Sequence, residues 1–123
     1  MIYGIGTDII EIDRITKAIS KNQRFLEKHF TEKEQELFLE KSNLPQTIAG
    51  NFSSKESISK ALGTGVRGFS LKDIEILRDK NGKPIVNLSQ NIIQKFNLKN
   101  YKVHLSISHD KTKAISFAMI EIL

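Results

Sequence analysis

The chain has 123 residues, no cysteine and a formal net charge of +5, with 39% apolar and 27% charged residues. This length predicts one domain, residues 1–123, and the balance of apolar to charged residues excludes a disordered chain. The lack of cysteine excludes disulfide scaffolds and thiolate metal sites, and the apolar opening 1–12 carries Asp8 and Glu11 without a basic lead, so no signal peptide or membrane span is expected and the cytoplasm is the expected compartment.

The positive excess suits an acidic partner. No arginine-rich tail or aromatic-basic interleaving is present, so nucleic acid is not the expected one. Residues 1–12 are rich in isoleucine and glycine and read as a buried strand. Side chains alternate along a strand, which places Asp8 on one face with Ile2, Gly4, Gly6 and Ile10. A carboxylate on such a face needs a partner. A structural arginine or lysine would serve, and on the strand alone is favoured. A hard cation such as Mg²⁺ also would, since it accepts one or two carboxylates together with substrate phosphates. The glycines leave room for something to approach the backbone.

Asp13 is expected to cap a helix over residues 14–29. On that helix Arg14, Lys17, Lys21, Arg24 and Lys28 fall at steps of three and four, on one face. This is either an ordinary solvated face or a docking surface for an acidic partner. Thr31 with Glu34 forms a capping-box pattern for a second helix to about residue 41, and Asn43-Leu44-Pro45 breaks it.

Residues 46–62 predict a longer helix ended by Gly63 and Gly65. Ile48, Phe52, Ile58 and Leu62 define its apolar arc, with Lys55 and Ser59 inside the arc and Glu56 at its edge. Glu56 and Lys60 have the spacing of an intrahelical ion pair, which would leave Lys55 and Ser59 unexplained. Polar groups inside an apolar arc predict a cleft crossing the helix, and a carboxylate with two ammonium groups there suits phosphate chemistry. The following Gly63-Thr64-Gly65 lacks the pattern of a nucleotide-hydrolysing phosphate loop.

Residues 73–78 alternate as a strand, Asn81-Gly82 signals a hairpin, and 85–88 is the return strand. Ser89 caps a helix to about residue 96, and 101–108 and 114–122 form a closing pair of strands. The order predicts an α+β fold with a mainly antiparallel sheet.

Three segments together, GIGTDIIEIDRI (4–15), FSSKESISKALGTG (52–65) and HLSISHDKTKAISFAMIE (104–121), resemble the signature regions of the holo-acyl-carrier-protein synthase family, and NGKP (81–84) resembles a turn of that family. The match runs end to end in the correct order. The resemblance implies the small bacterial 4'-phosphopantetheinyl transferase fold, assembled as a homotrimer with active sites between subunits. It implies transfer of phosphopantetheine from coenzyme A to a serine of an acyl carrier protein, in fatty acid biosynthesis.

By the same resemblance Asp8 and Glu56 hold Mg²⁺, and Lys60 lies near the diphosphate. Lys55, Ser59, Gly63, Thr64, Gly65, Asn81, Gly82, Lys83, Pro84 and His109 line the coenzyme A site. Arg14, Lys17, Lys21, Arg24, Phe25 and Lys28 dock the carrier, and Asp8, Glu56 and Lys60 are the catalytic set, with Glu56 the candidate base. His29 and His104 match nothing and read as structural. The chain departs from the family at Asn51, where an arginine often stands that can hold the 3'-phosphate of coenzyme A. Arg67, Lys55 or another subunit are the candidates to replace it. The other classes are a non-catalytic basic module that docks an acidic protein, and a nucleic-acid-binding domain. Neither accounts for Asp8 and Glu56.

Overall fold

The computed structural model describes residues 1–123. Its elements in chain order are β1 (Ile2–Glu11), α1 (Ile12–Lys21), α2 (Phe25–His29), α3 (Glu32–Glu40), α4 (Pro45–Ala61), β2 (Ile74–Arg78), β3 (Pro84–Leu88), α5 (Gln90–Lys95), β4 (Tyr101–His109) and β5 (Lys113–Ile122). A three-stranded antiparallel sheet runs β1-β5-β4, and β2-β3 is a separate antiparallel hairpin. The first and last strands therefore pair, with Asp8 opposite Ser116 and Gly6 opposite Ala118.

Helix α4 lies across this sheet. Pro45 opens it at a position where no N–H is needed, and Gly63, at φ 98°, ends it. What approaches the glycines of β1 is the backbone of α4. A Cβ on Gly4 would stand 1.9 Å from the Ala61 carbonyl oxygen, and one on Gly6 would stand 1.9 Å from that of Ser57. Two apolar clusters flank the polar middle of α4. One joins Ile58, Ala61 and Leu62 to Ile74, Ile76 and Ile120, and the other joins Ile48 and Ala49 to Ile15, Phe30 and Phe38.

Two expectations are corrected. The helix predicted over 14–29 is two helices, and Glu11 rather than Asp13 occupies the cap position of the first. The break comes at Asn22, whose Oδ1 accepts the Arg24 N–H at 3.0 Å, a side-chain competitor for the helical hydrogen bond. Strand β1 is buried on one face only. Ile5 is 60% exposed and Ile9 59%, and their neighbours Ile115 and Phe117 on β5 are also exposed. The capping box at Thr31 and Glu34 and the cap at Ser89 form as expected.

Candidate active site

Asp8 leaves β1 on the face that meets α4, where Glu56 and Lys60 sit one turn apart. The tight approach at Gly4 and Gly6 brings these two segments, about fifty residues apart, to one place. Lys60 does not pair with Glu56. Its Nζ donates to the Thr7 carbonyl at 2.9 Å and stands 3.6 Å from Asp8 Oδ1. The structural lysine that Asp8 was expected to need is thus Lys60. Burial raises the Glu56 pKa, and the charge of Asp8 raises it further, while Lys60 partly offsets both. Asp8 and Lys60 line a cleft of about 300 Å³ with Thr7, Ile9 and Ile115, and the Asp8 charge reaches Glu56 on the neighbouring turn of α4.

The floor beneath Asp8 is a row of buried hydroxyls. Ser53 Oγ donates to the Asp8 carbonyl at 3.2 Å and lies 2.8 Å from Ser116 Oγ, which reaches Ser57 Oγ at 2.9 Å. Ser53 and Ser57 are fully buried on α4, so the backbone carrying Asp8 is tied to the helix carrying Glu56.

Lys55 and Ser59 do not line a cleft. Lys55 is fully buried; its Nζ is 2.7 Å from Glu34 Oε1 and donates to the carbonyls of Leu71 at 2.8 Å and Ile74 at 2.5 Å. The Ser59 hydroxyl donates to the Glu56 carbonyl at 2.6 Å. The arc of α4 is polar because the protein interior supplies partners for it. Burial lowers the Lys55 pKa while Glu34 opposes that shift. Glu34 is the partner the sequence concealed, since its capping-box role already accounted for it. Its two oxygens accept from Thr31 N, Lys55 Nζ, Asn51 Nδ2 and Ile76 N.

Gly63, Thr64 and Gly65 form the loop after α4, with Gly63 and Thr64 exposed. Asn81, Gly82 and Lys83 are the exposed β2-β3 turn, held by Asp79 Oδ1, which accepts from the N–H groups of Asn81 and Lys83. Gly82, Pro84 and His109 converge on a cleft of about 350 Å³ between that turn, the start of α4 and the end of β4. His109 also borders a groove with Ile9 and Ile115, so it stands between this cleft and the exposed sheet face next to Asp8.

On the basic surface, Arg14, Lys17, Lys21, Arg24 and Lys28 are exposed, but the break at Asn22 divides them between two helices. Lys17 pairs with Asp13 at 3.0 Å and Arg24 with Glu27 at 3.3 Å. Phe25 is half-buried, stacked on Phe52 at 6.0 Å and edge-on to His29 at 4.8 Å. His104 bonds Glu121 at 2.9 Å.

Residues 4–118 match the model of the 4'-phosphopantetheinyl transferase superfamily. A holo-[acyl-carrier-protein] synthase of Clostridium botulinum (strain Eklund 17B / Type B) is 57% identical over 123 residues, the whole of both chains. A crystal structure of a holo-(acyl-carrier-protein) synthase from Bacillus anthracis in complex with CoA (3',5'-ADP) superposes with a TM-score of 0.84 at 40% identity, covering 100% of this chain and 99% of that one. The Helicobacter pylori synthase in complex with coenzyme A gives 0.85 at 34% identity, covering 95% of this chain and 99% of that one.

Proposed function

The chain belongs to the 4'-phosphopantetheinyl transferase superfamily, among its holo-acyl-carrier-protein synthases, and from that we infer that it transfers the 4'-phosphopantetheine of coenzyme A to a serine hydroxyl of apo-acyl carrier protein, releasing adenosine 3',5'-bisphosphate. The observation that carries this reading is the meeting of Asp8 with Glu56 and Lys60 across the β1–α4 contact, two carboxylates in one desolvated place with a single ammonium group between sequence segments. A basic adaptor has no use for that arrangement.

The site fits Mg²⁺. Burial and the Asp8 charge both disfavour the Glu56 carboxylate, which a cation would offset, and no third histidine, cysteine or acid joins the pair. Such a pair suits a cation that keeps waters and takes substrate phosphates as its remaining ligands. When bound by Asp8 and Glu56, Mg²⁺ supplies positive charge against the coenzyme A diphosphate. Glu56 accepts the proton of the attacking serine hydroxyl; its raised pKa makes it a better base than an ordinary carboxylate. The serine oxygen bonds to the β-phosphorus and the bond to the bridging oxygen breaks. Lys60, held by Thr7 and Asp8, offsets the charge left on the departing bisphosphate.

The working unit we propose is a homotrimer with its sites between subunits. The exposed apolar strip Ile5, Ile9, Ile115 and Phe117 separates the Asp8 cleft from the His109 cleft within one chain. Burying that strip against a second copy would remove a large apolar face from water and set clefts from two copies side by side. Arg14, Lys21 and Lys28, unpaired on α1 and α2, would steer an acidic carrier protein. No helix is long and apolar enough to cross a membrane, and we place the reaction in the cytoplasm, in fatty acid biosynthesis. Mass spectrometry of apo-acyl carrier protein incubated with the chain, coenzyme A and Mg²⁺ tests the reading. A gain of one phosphopantetheine, abolished by chelator or by Asp8→Ala, is expected. No gain with several carriers overturns it and leaves the adaptor.

A further inference from the structure

Asn51 cannot act on a ligand, because it is fully buried and its Nδ2 donates to Glu34 Oε2 at 3.1 Å and to the Ile76 carbonyl at 2.9 Å. Its Oδ1 instead accepts Arg78 Nη2 at 2.9 Å. The guanidinium that this position lacks in sequence is delivered beside it by the end of β2. Of the candidates for that role, neither of the two within this chain lines the cleft. The Lys55 ammonium is spent inside the protein, and Arg67, exposed on the loop after α4, does not line this cleft.

Arg78 lines the cleft that also holds His109, Gly82 and Pro84, together with Lys41 and Gln46. Two of the five N–H donors of the guanidinium are taken, by Asn51 and by the Leu77 carbonyl at 3.2 Å, which leaves the rest available. No carboxylate lines this cleft. Clefts elsewhere on the chain carry Glu27 and Glu32, Glu11 and Asp13, Asp110, or Asp8. Arg78 makes no salt bridge; burial disfavours its charge and the Glu34 carboxylate only partly offsets that, so a bound anion would complete the compensation.

Coenzyme A carries two anionic groups, a diphosphate and a 3'-phosphate. The diphosphate belongs to the reacting centre at Asp8, Glu56 and Lys60, whose cleft shares no residue with this one. The remaining anion is the 3'-phosphate. We propose that Arg78, oriented by Asn51, binds the 3'-phosphate of the coenzyme A donor through its free guanidinium edge. This rests on the transferase reading above.

The test compares coenzyme A with 3'-dephospho-coenzyme A as donors for the intact chain. The wild type is expected to favour coenzyme A roughly tenfold or more in kcat/KM, the size of a charge-assisted hydrogen-bonded pair. Arg78→Gln is expected to bring that preference to within about twofold, through KM for coenzyme A. Arg78→Lys keeps the charge without the fork, should give an intermediate preference, and stands in if the glutamine variant does not fold. A folded variant that keeps the wild-type preference overturns the proposal, as does a wild type that uses both donors equally. A wild type that transfers from neither donor overturns the transferase reading itself.

Discussion

Glu56 is held where its charge is unwelcome, and that has a sign in stability as well as in the proposed chemistry. A carboxyl whose folded pKa lies above its unfolded value binds more protons in the folded state. Its favourable contribution is present below the ordinary carboxylate pKa and is lost as the pH rises through the raised one. Glu56→Gln is therefore expected to lower the transfer rate roughly a hundredfold or more and yet raise the melting temperature at pH 7, a gain that fades on acidification toward pH 4. A melting curve that falls at pH 7 would count against this account of the site. Lys55 makes the opposite case. Glu34→Ala leaves its ammonium buried without a counter-charge and should cost about 3–5 kcal/mol in urea unfolding. Glu34→Leu combined with Lys55→Met, which removes both charges, should recover only the part due to the unpaired ammonium, because Asn51 Nδ2 and Ile76 N still lose their acceptor. If Lys55 instead touched coenzyme A, the double variant would also lose donor affinity.

The contact of β1 with α4 is the element on which the site depends. Gly6→Ala forces a methyl group against the Ser57 carbonyl, backbone against backbone. The expected loss is about 3 kcal/mol of stability, the upper end for overpacking. The same displacement separates Asp8 from Glu56, so activity should fall further than the folded fraction does. The break between α1 and α2 bears on the proposed docking, because the basic residues form two short patches rather than one ladder. Arg14→Glu with Lys21→Glu, both on α1, should raise the carrier KM roughly tenfold at low salt and much less at high salt, as expected of steering charges. Equal losses at both ionic strengths would point away from α1 as the docking element.

At the scale of the whole molecule, the two clefts and the apolar strip between them make a single chain look like part of a larger site. Phe117→Glu is expected to give a folded monomer by light scattering with little or no transfer activity, whereas a monomeric wild type would remove the trimer from the mechanism. Much of the architecture was legible in the residues alone. Period-two and helical patterns, the Thr31 and Ser89 caps, Pro45 and the Asn81-Gly82 turn are local signals, set by backbone sterics and hydrogen bonding between near neighbours, and they marked nearly every element. Asp8 was legible as a carboxylate out of place, and the end-to-end resemblance joined it to Glu56 and Lys60. The Asn22 break was missed because an asparagine without glycine or proline leaves a helical pattern intact on paper. Which polar residue faces a cleft and which faces the core was decided only by tertiary structure. Lys55 and Lys60 lie five residues apart on one helix, yet one meets Glu34 in the interior and the other meets Asp8 at a cleft. Arg78 reaches Asn51 only because the β2-β3 hairpin packs beside α4. Those partners are distant in sequence, and no local pattern encodes the distance at which two elements come to rest.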